Sequence, residues 1–495
     1  VTQETAESAA ARSDVATTLK NALTLGGSLI VTLGIGFGVR IALRRYLGPA
    51  VIGPVNFADA FTTGAFVFLG LGVDNVVRKV VPVTLDGANE FLGTIFALRA
   101  LLSIAVFAVM GVVLTWMGQP PEVRLLVWVY GVAQFFMAFN ATFVSLLQSA
   151  RTIDGLSRVN VLSKFVWAIG FIATMVFQWP LVGIPISVAV SEFLKLVVGY
   201  WLARKHTRLV LKIDWKVVRP LLRDAFPFYV NAIALVVVSR FDVNVLKMRA
   251  SDAEIGLYSS ASELAQMTFV LMPMLAGVVT PLFARAAARA ASEYHAMLRR
   301  TLELVLTLAF PVSLAIAIGA DFWVRIVLGH QYAAAAWALS ILGPTFLLTY
   351  TATTIAIALN VTGGEWTVTV TSVMSMFINP LLVIFLTGFA KGWGEGGGGA
   401  ACAMATVGTE TFVLIAMFSR LGRIAMDARL AKMLVKTVAV CVAVAAIDRL
   451  LLQPLGGARL LLDGLLYVGL VLGTGAVSVK ETAAFVKQIR AERAA

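Results

Sequence analysis

Nine ionisable side chains stand inside long apolar runs, and they are the residues placed to do chemistry: Arg40, Asp59, Arg99, Glu192, Lys195, Arg240, Asp242, Glu263 and Glu410. A guanidinium offers a planar fork of N–H donors that fits phosphate and carboxylate oxygens. Arg40, Arg99 and Arg240 are therefore candidates for holding an anionic, pyrophosphate-like head group. Asp59, Asp242, Glu263 and Glu410 are candidates for coupling or gating, either as carriers of a proton or sodium ion or as partners of the arginines. Ionised groups at membrane depth are costly unless they are paired or face water, so their presence in apolar runs calls for a reason. Four cations against five carboxylates do not make a strongly cationic interior, and an anion site there has to arise from arrangement.

Two readings of these residues stay open. Arg40 with Asp59, and Arg240 with Glu263, form ion pairs that staple neighbouring helices, or the same side chains line a cavity between the two halves of the chain and touch substrate. Glu192 and Lys195, spaced i,i+3, read as a self-neutralising pair, as do Asp74 and Arg78 at i,i+4. Arg99 has no acid in its own run, which leaves it a cavity-facing role or a partner on another helix.

Enzyme signatures are missing. The histidines His206, His295 and His330 are far apart in loops, and no His-Glu-x-x-His, Cys-x-x-Cys or Gly-Lys-Ser/Thr phosphate loop occurs. No catalytic residue, metal or cofactor is expected. Cys402 and Cys441 both lie in apolar runs and read as small buried hydrophobes. The glycines of Gly34-Ile35-Gly36-Phe37-Gly38 read as a close helix-packing face.

The elements that must position these residues follow from composition. The chain has 495 residues, 59% hydrophobic and only 14% charged, against about 25% charged in ordinary globular domains. A span of bilayer needs about 20 apolar residues as a helix. On that ruler the sequence predicts an all-α polytopic membrane protein with about fourteen transmembrane helices and no soluble domain between them. The net charge of +13 is read as topology rather than as nucleic-acid binding, because Lys and Arg collect in alternate loops. That asymmetry predicts both termini in the cytoplasm, and the polar first twenty residues carry no signal-peptide apolar region.

The halves resemble each other. LRRYLGPAVIGPVNFADAF (residues 43–61) aligns with LKMRASDAEIGLYSSASEL (residues 246–264) at an offset of 203, pairing Ile52-Gly53 with Ile255-Gly256. SLLQSARTIDGLSRVNVLSKF (residues 145–165) aligns with IALNVTGGEWTVTVTSVMSMF (residues 357–377) at an offset of 212. Copies separated by six spans keep one orientation, so the expectation is two pseudo-symmetric six-helix lobes in a parallel repeat plus two extra C-terminal helices. The expected organisation is a cytoplasmic tail over residues 1–20, an N-lobe over 21–203, and a basic cytoplasmic linker over 204–224. A C-lobe over 225–419, two further spans over 420–479 and a cytoplasmic tail over 480–495 complete it. Pro273, Pro281, Pro311, Pro344 and Pro380 concentrate expected kinks in the second lobe. The glycine-rich KGWGEGGGGA (residues 391–400) reads as an outer turn and not as a phosphate loop.

The hairpin RRYLGPAVIGPVNFADAF (residues 44–61), the strings SRFDVNVL (239–246) and EIGLYSSASEL (254–264), and GGGGAACAMAT (396–406) resemble the oligosaccharide flippases. These are the polysaccharide biosynthesis transporters of the multidrug/oligosaccharidyl-lipid/polysaccharide (MOP) exporter superfamily, which also holds the MATE transporters. The resemblance implies a MATE/MOP-like fold working by alternating access. The cargo it implies is an undecaprenyl-pyrophosphate-linked oligosaccharide for cell-surface polysaccharide such as the O-antigen of lipopolysaccharide. It further implies residence in a bacterial cytoplasmic (inner) membrane, action as a monomer among membrane lipids, and polysaccharide polymerase and chain-length proteins as partners. Arg40, Arg99 and Arg240 are the positions that match a head-group role. Pro185 departs from the pattern, since the family often has Gly-Ala there. Peptidoglycan-precursor (lipid II) flippases and ion-coupled multidrug or cation antiporters of the same superfamily are the alternatives.

Overall fold

A chain that crosses hydrocarbon without closing a barrel has to satisfy its backbone inside helices, and the apolar runs fold that way. The computed structural model describes residues 32–70, 72, 74, 88–149, 153–204 and 215–477, and among them every regular element is helical. In chain order these are α1 (32–47), α2 (Pro49–Gly70), α3 (Ala88–Trp116), α4 (Pro121–Ser149), α5 (Ile153–Val176) and α6 (Gly183–Ala203). There follow α7 (Trp215–Arg249), α8 (Asp252–Met267), α9 (Met272–Arg289), α10 (Ala291–Ile318), α11 (Ala320–Val327) and α12 (Ala335–Leu342). The last are α13 (Thr345–Val361), α14 (Glu365–Phe389), α15 (Gly397–Leu421), α16 (Ala428–Ile447) and α17 (Arg459–Gly473).

Among the described residues, 12 helical segments are long and apolar enough to cross a membrane. The chain is a multi-pass membrane protein. The segment Ala428–Gly473 is one of the 12 and holds both α16 and α17, which the sequence reads as separate spans. The first expected span falls partly outside the described residues.

Two compact units divide the chain, the first within residues 1–47 and 54–244 and the second within 48–53 and 245–495. In the first unit small residues let α5 and α6 approach closely. A Cβ on Gly170 would lie 2.6 Å from Ser187 Oγ, and one on Gly183 would lie 2.6 Å from Thr174 Oγ1. Aromatic rings fill wider gaps, as where Phe66 meets Phe107 edge to face at 5.2 Å. The glycine string of α1 behaves otherwise than its sequence suggests: a Cβ at Gly34, Gly36 or Gly38 would meet nothing within 4 Å.

The second unit is built on one apolar core shared by α9, α10, α13, α15, α16 and α17, with Phe283, Leu298, Leu302 and Val444 at its centre. The two helices outside the sequence repeat therefore pack on this unit. Its expected kinks divide into breaks and continuous helices. At Pro273 the eighth span breaks into α8, a 3-10 turn over Thr268–Leu271, and α9. At Pro344 the tenth span breaks between α12 and α13. Breaks free backbone groups that lipid cannot satisfy, and side chains from neighbouring helices take them up. Tyr350 Oη–H donates to Thr268 O at 2.7 Å, and Ser313 Oγ accepts from Leu347 N–H at 3.0 Å. Pro281, Pro311 and Pro380 stay inside continuous helices, as does Pro54 in α2.

Candidate functional site

Charged side chains in the first unit gather at two neighbouring places. Arg240, on α7, points a guanidinium nitrogen to within 3.8 Å of Asp59 Oδ2 on α2, and both side chains are well exposed. The sequence offers Arg40 as a partner for Asp59; the structure brings Arg240, the other repeat-related arginine, to this carboxylate. Arg40 is exposed on α1, and its charge acts on Tyr130 of α4 together with those of Asp59 and Arg44. Asp242, two residues beyond Arg240, is buried and accepts from the N–H of Val243 at 2.7 Å.

The second place joins α4, α5 and α6. Asn140 donates through Nδ2 to both the side chain of Glu192 at 2.8 Å and its backbone carbonyl at 2.9 Å. Lys195 lies 3.8 Å from the same carboxylate, so the expected i,i+3 pair forms, held by an amide from another helix. Lys164 on α5 sits over the ring of Trp167 at 4.3 Å and feels the charges of Arg40, Glu192 and Lys195. Arg40, Lys164 and Lys195 thus share one electrostatic neighbourhood with the Glu192 carboxylate. Lys164 escapes the sequence reading because it lies near an inner loop; it stands about 16 Å along α5 from Ile153 at 1.5 Å per residue, inside a membrane span.

Arg99 does a different job. Its side chain is fully buried. Nε donates to Leu69 O at 3.0 Å and Nη2 to Gly70 O at 3.1 Å and Asp74 Oδ2 at 2.8 Å, while Nη1 bonds Ala138 O and Thr142 Oγ1. The guanidinium closes the C-terminal end of α2, where unsatisfied carbonyls and the helix dipole favour a cation. Of the two roles open from sequence, the cross-helix partner is the one formed. Asp74 pairs with Arg99; the expected pair of Asp74 with Arg78 involves a residue outside the described ones.

In the second unit, Glu410 on α15 accepts from Thr349 Oγ1 of α13 at 3.1 Å. At the preceding residue of α15, Thr409 Oγ1 accepts from Asn379 Nδ2 at 3.2 Å, and Asn379 Oδ1 is buried without a hydrogen-bond partner. Glu263 is half-buried on α8. The glycine-rich turn before α15 proves to be an anion site already filled by the protein. Ser251 caps α8 by accepting from Glu254 N–H, and the Glu254 carboxylate accepts from the backbone N–H groups of Gly396 and Gly399 at the start of α15. Gly398 leaves room for it: a Cβ there would lie 3.2 Å from Glu254 Oε2.

Comparison with known proteins follows the same lines. A family model described as polysaccharide biosynthesis protein matches residues 18–287. No curated protein matches the chain by sequence. Among solved structures, the lipid II flippase MurJ in an inward closed conformation superposes with a TM-score of 0.70 at 13% identity, covering 91% of this chain and 98% of that one. An inward-facing multidrug resistance MATE family transporter of the MOP superfamily gives 0.61 at 13% identity, covering 80% and 98%. A MOP superfamily transporter from Pyrococcus furiosus gives 0.56 at 14% identity, covering 82% and 97%. At these identities the likeness is one of fold.

Proposed function

The chain belongs to the polysaccharide biosynthesis protein family, and we propose that it is a flippase moving a lipid-linked, undecaprenyl-pyrophosphate oligosaccharide across a bacterial cytoplasmic membrane by alternating access. The family and a MurJ- and MATE-like fold make it a transporter of the MOP type. The observation that carries the finer reading is the charge arrangement of the first unit. Arg40, Lys164 and Lys195 share one neighbourhood, and the partner carboxylate of Lys195 is already bonded by Asn140. Cations so placed suit a pyrophosphate, whose oxygens accept several charge-assisted bonds at once. Arg40 and Arg240 keep their head-group role in this reading. Arg99, with its donors engaged at the end of α2, acts as a support instead.

Coupling is assigned to carboxylates. Glu410 meets one hydroxyl, and Asp59 forms an exposed pair with Arg240 that a bound anion can open. Both termini lie in the cytoplasm in this proposal, the chain acts as a monomer, and polymerase and chain-length proteins receive its product.

A leaflet-resolved assay tests the whole. Purified protein is reconstituted in vesicles with a fluorescent undecaprenyl-pyrophosphate oligosaccharide on one face, and wild type is compared with Arg40→Ala and Arg240→Ala. Translocation in wild type that falls in both variants is the expected result. Efflux of a cationic dye dependent on Asp59 or Glu263, with no lipid movement, overturns it in favour of an antiporter.

A further inference from the structure

The helices α16 and α17 lie outside the sequence repeat, and the transport reading gives them no part. Yet the first turns of α16 carry three cations, Arg429, Lys432 and Lys436. At 3.6 residues per turn their spacing of i, i+3, i+7 puts all three on one face. That face forms one wall of a groove of about 470 Å³, whose other walls are Glu303 and Thr307 of α10 and residues 475–477, which follow α17. Two contacts hold the groove in shape. Arg429 Nε lies 3.1 Å from Glu303 Oε1 and its Nη2 lies 3.4 Å from Oε2, a fork-to-fork pair that ties α16 to α10. Lys436 Nζ donates to Thr474 O at 2.6 Å, at the C-terminal end of α17, where unsatisfied carbonyls favour a cation.

These contacts leave positive charge over. Among the described residues that line the groove Glu303 is the one acid, and Arg429 matches it. Lys436 is bonded to a carbonyl, which carries no net charge, and an ammonium has three donors of which Thr474 takes one. Lys432 is exposed between the other two cations. Two positive charges therefore remain, on Lys432 and Lys436. From Ala428, where α16 starts, to Lys436 is about 12 Å at 1.5 Å per residue, so the cations stay near the end of the span and within reach of the head-group layer. Deeper in the span the surroundings turn apolar. The same face of α16 continues past Lys436 as Ala439 and Ala443, both exposed, and α17, packed alongside, exposes Leu465, Val468 and Leu472.

We propose that this groove is a binding site for an anionic glycerophospholipid, its phosphodiester held between Lys432 and Lys436 and an acyl chain laid along the alanine face of α16. Charge-assisted bonds from two ammonium groups suit a phosphate that carries no cation of its own. A zwitterionic lipid brings a second cation toward the same lysines and gains less. A soluble anion meets the lysines but draws nothing from the apolar face beyond them, so the combination selects a lipid. In the proposed topology the start of α16 faces the cytoplasm, on the side where anionic lipids attract Lys and Arg. The lipid joins α10, α16 and the end of α17 at one point, whichever cargo the first unit moves.

Native mass spectrometry of the full chain, titrated in detergent with phosphatidylglycerol or with phosphatidylcholine of the same acyl chains, decides it. The tightest-bound phosphatidylglycerol should be held in preference to phosphatidylcholine. Lys432 is exposed, so Lys432→Glu leaves the core intact; it should weaken that binding about tenfold, and Lys432→Arg should keep it. Arg289→Glu makes the same change in net charge at the exposed pair with Glu293, between α9 and α10, and should leave the binding unchanged. Equal binding of the two lipids overturns the proposal. Equal weakening by Lys432→Glu and Arg289→Glu overturns it as well, since it marks attraction by net charge alone. Displacement of the lipid by millimolar inorganic phosphate assigns the groove to a soluble anion and overturns it too.

Discussion

Gly53 and Gly256 each press against the backbone of the other's helix start. A Cβ on Gly53 would lie 1.9 Å from the carbonyl oxygen of Asp252, and one on Gly256 would lie 2.0 Å from that of Pro49. The contact is reciprocal at the sequence offset of 203, since Pro49 and Asp252 are related by it as well as the two glycines. Carbonyl oxygen is not a flexible side-chain end, so neither position tolerates a methyl group without backbone movement. Gly53→Ala and Gly256→Ala are each expected to lower stability by about 1–3 kcal/mol, the usual cost of overpacking. Gly64→Ala, whose Cβ would meet nothing within 4 Å, should not. Thermal unfolding of the three variants in one detergent checks this.

Replacing Arg99 strands a buried carboxylate and several helix-end acceptors together. Arg99→Ala should cost about 3–5 kcal/mol, as breaking a buried pair by removing one partner does. Arg99→Lys should recover little, because one ammonium cannot reach Leu69, Gly70, Asp74, Ala138 and Thr142 at once. Yield of folded protein and its unfolding temperature are the measurements.

Lys164 should show the opposite profile. It lies against Trp167 and beside like charges, so Lys164→Gln removes repulsion and little packing. Folding should be kept while translocation of a pyrophosphate-linked lipid falls about tenfold, the equivalent of about 1.4 kcal/mol. Unchanged transport at full stability would remove Lys164 from the head-group neighbourhood.

Glu410→Gln preserves an acceptor for Thr349 Oγ1 and takes away the ionisable group. Transport down a substrate gradient should survive, and its acceleration by an imposed proton or sodium gradient should vanish. An unaltered response to both gradients would place coupling elsewhere.

Tyr350→Phe leaves Thr268 O at the break between α8 and α9 without its hydroxyl donor. A loss of about 1 kcal/mol is expected, the typical net worth of a hydrogen bond, seen as faster hydrogen exchange across residues 268–271.

Much of the fold could be read from residue order because a bilayer imposes one length scale on every apolar run. The breaks at Pro273 and Pro344 were legible too, since proline removes a helix bond wherever it stands. Which arginine served which acid was not. Arg40, Arg99 and Arg240 look alike in sequence, each a lone cation in an apolar run. Their fates depend on contacts across helices: Arg99 finds the end of α2, and Arg240 finds Asp59. Lys164 was hidden by its nearness to basic loop residues. Periodicity reports which face is apolar, but not which neighbour's polar atom waits there.

The division between the two units crosses α2 between Gly53 and Pro54. Pro54 has no N–H, so the carbonyl of Ala50 lacks its usual partner one turn along the same helix. A helix resists bending in proportion to the ties between successive turns, and here one tie is absent near the start of α2. Compliance in α2 is thus concentrated at a single rung.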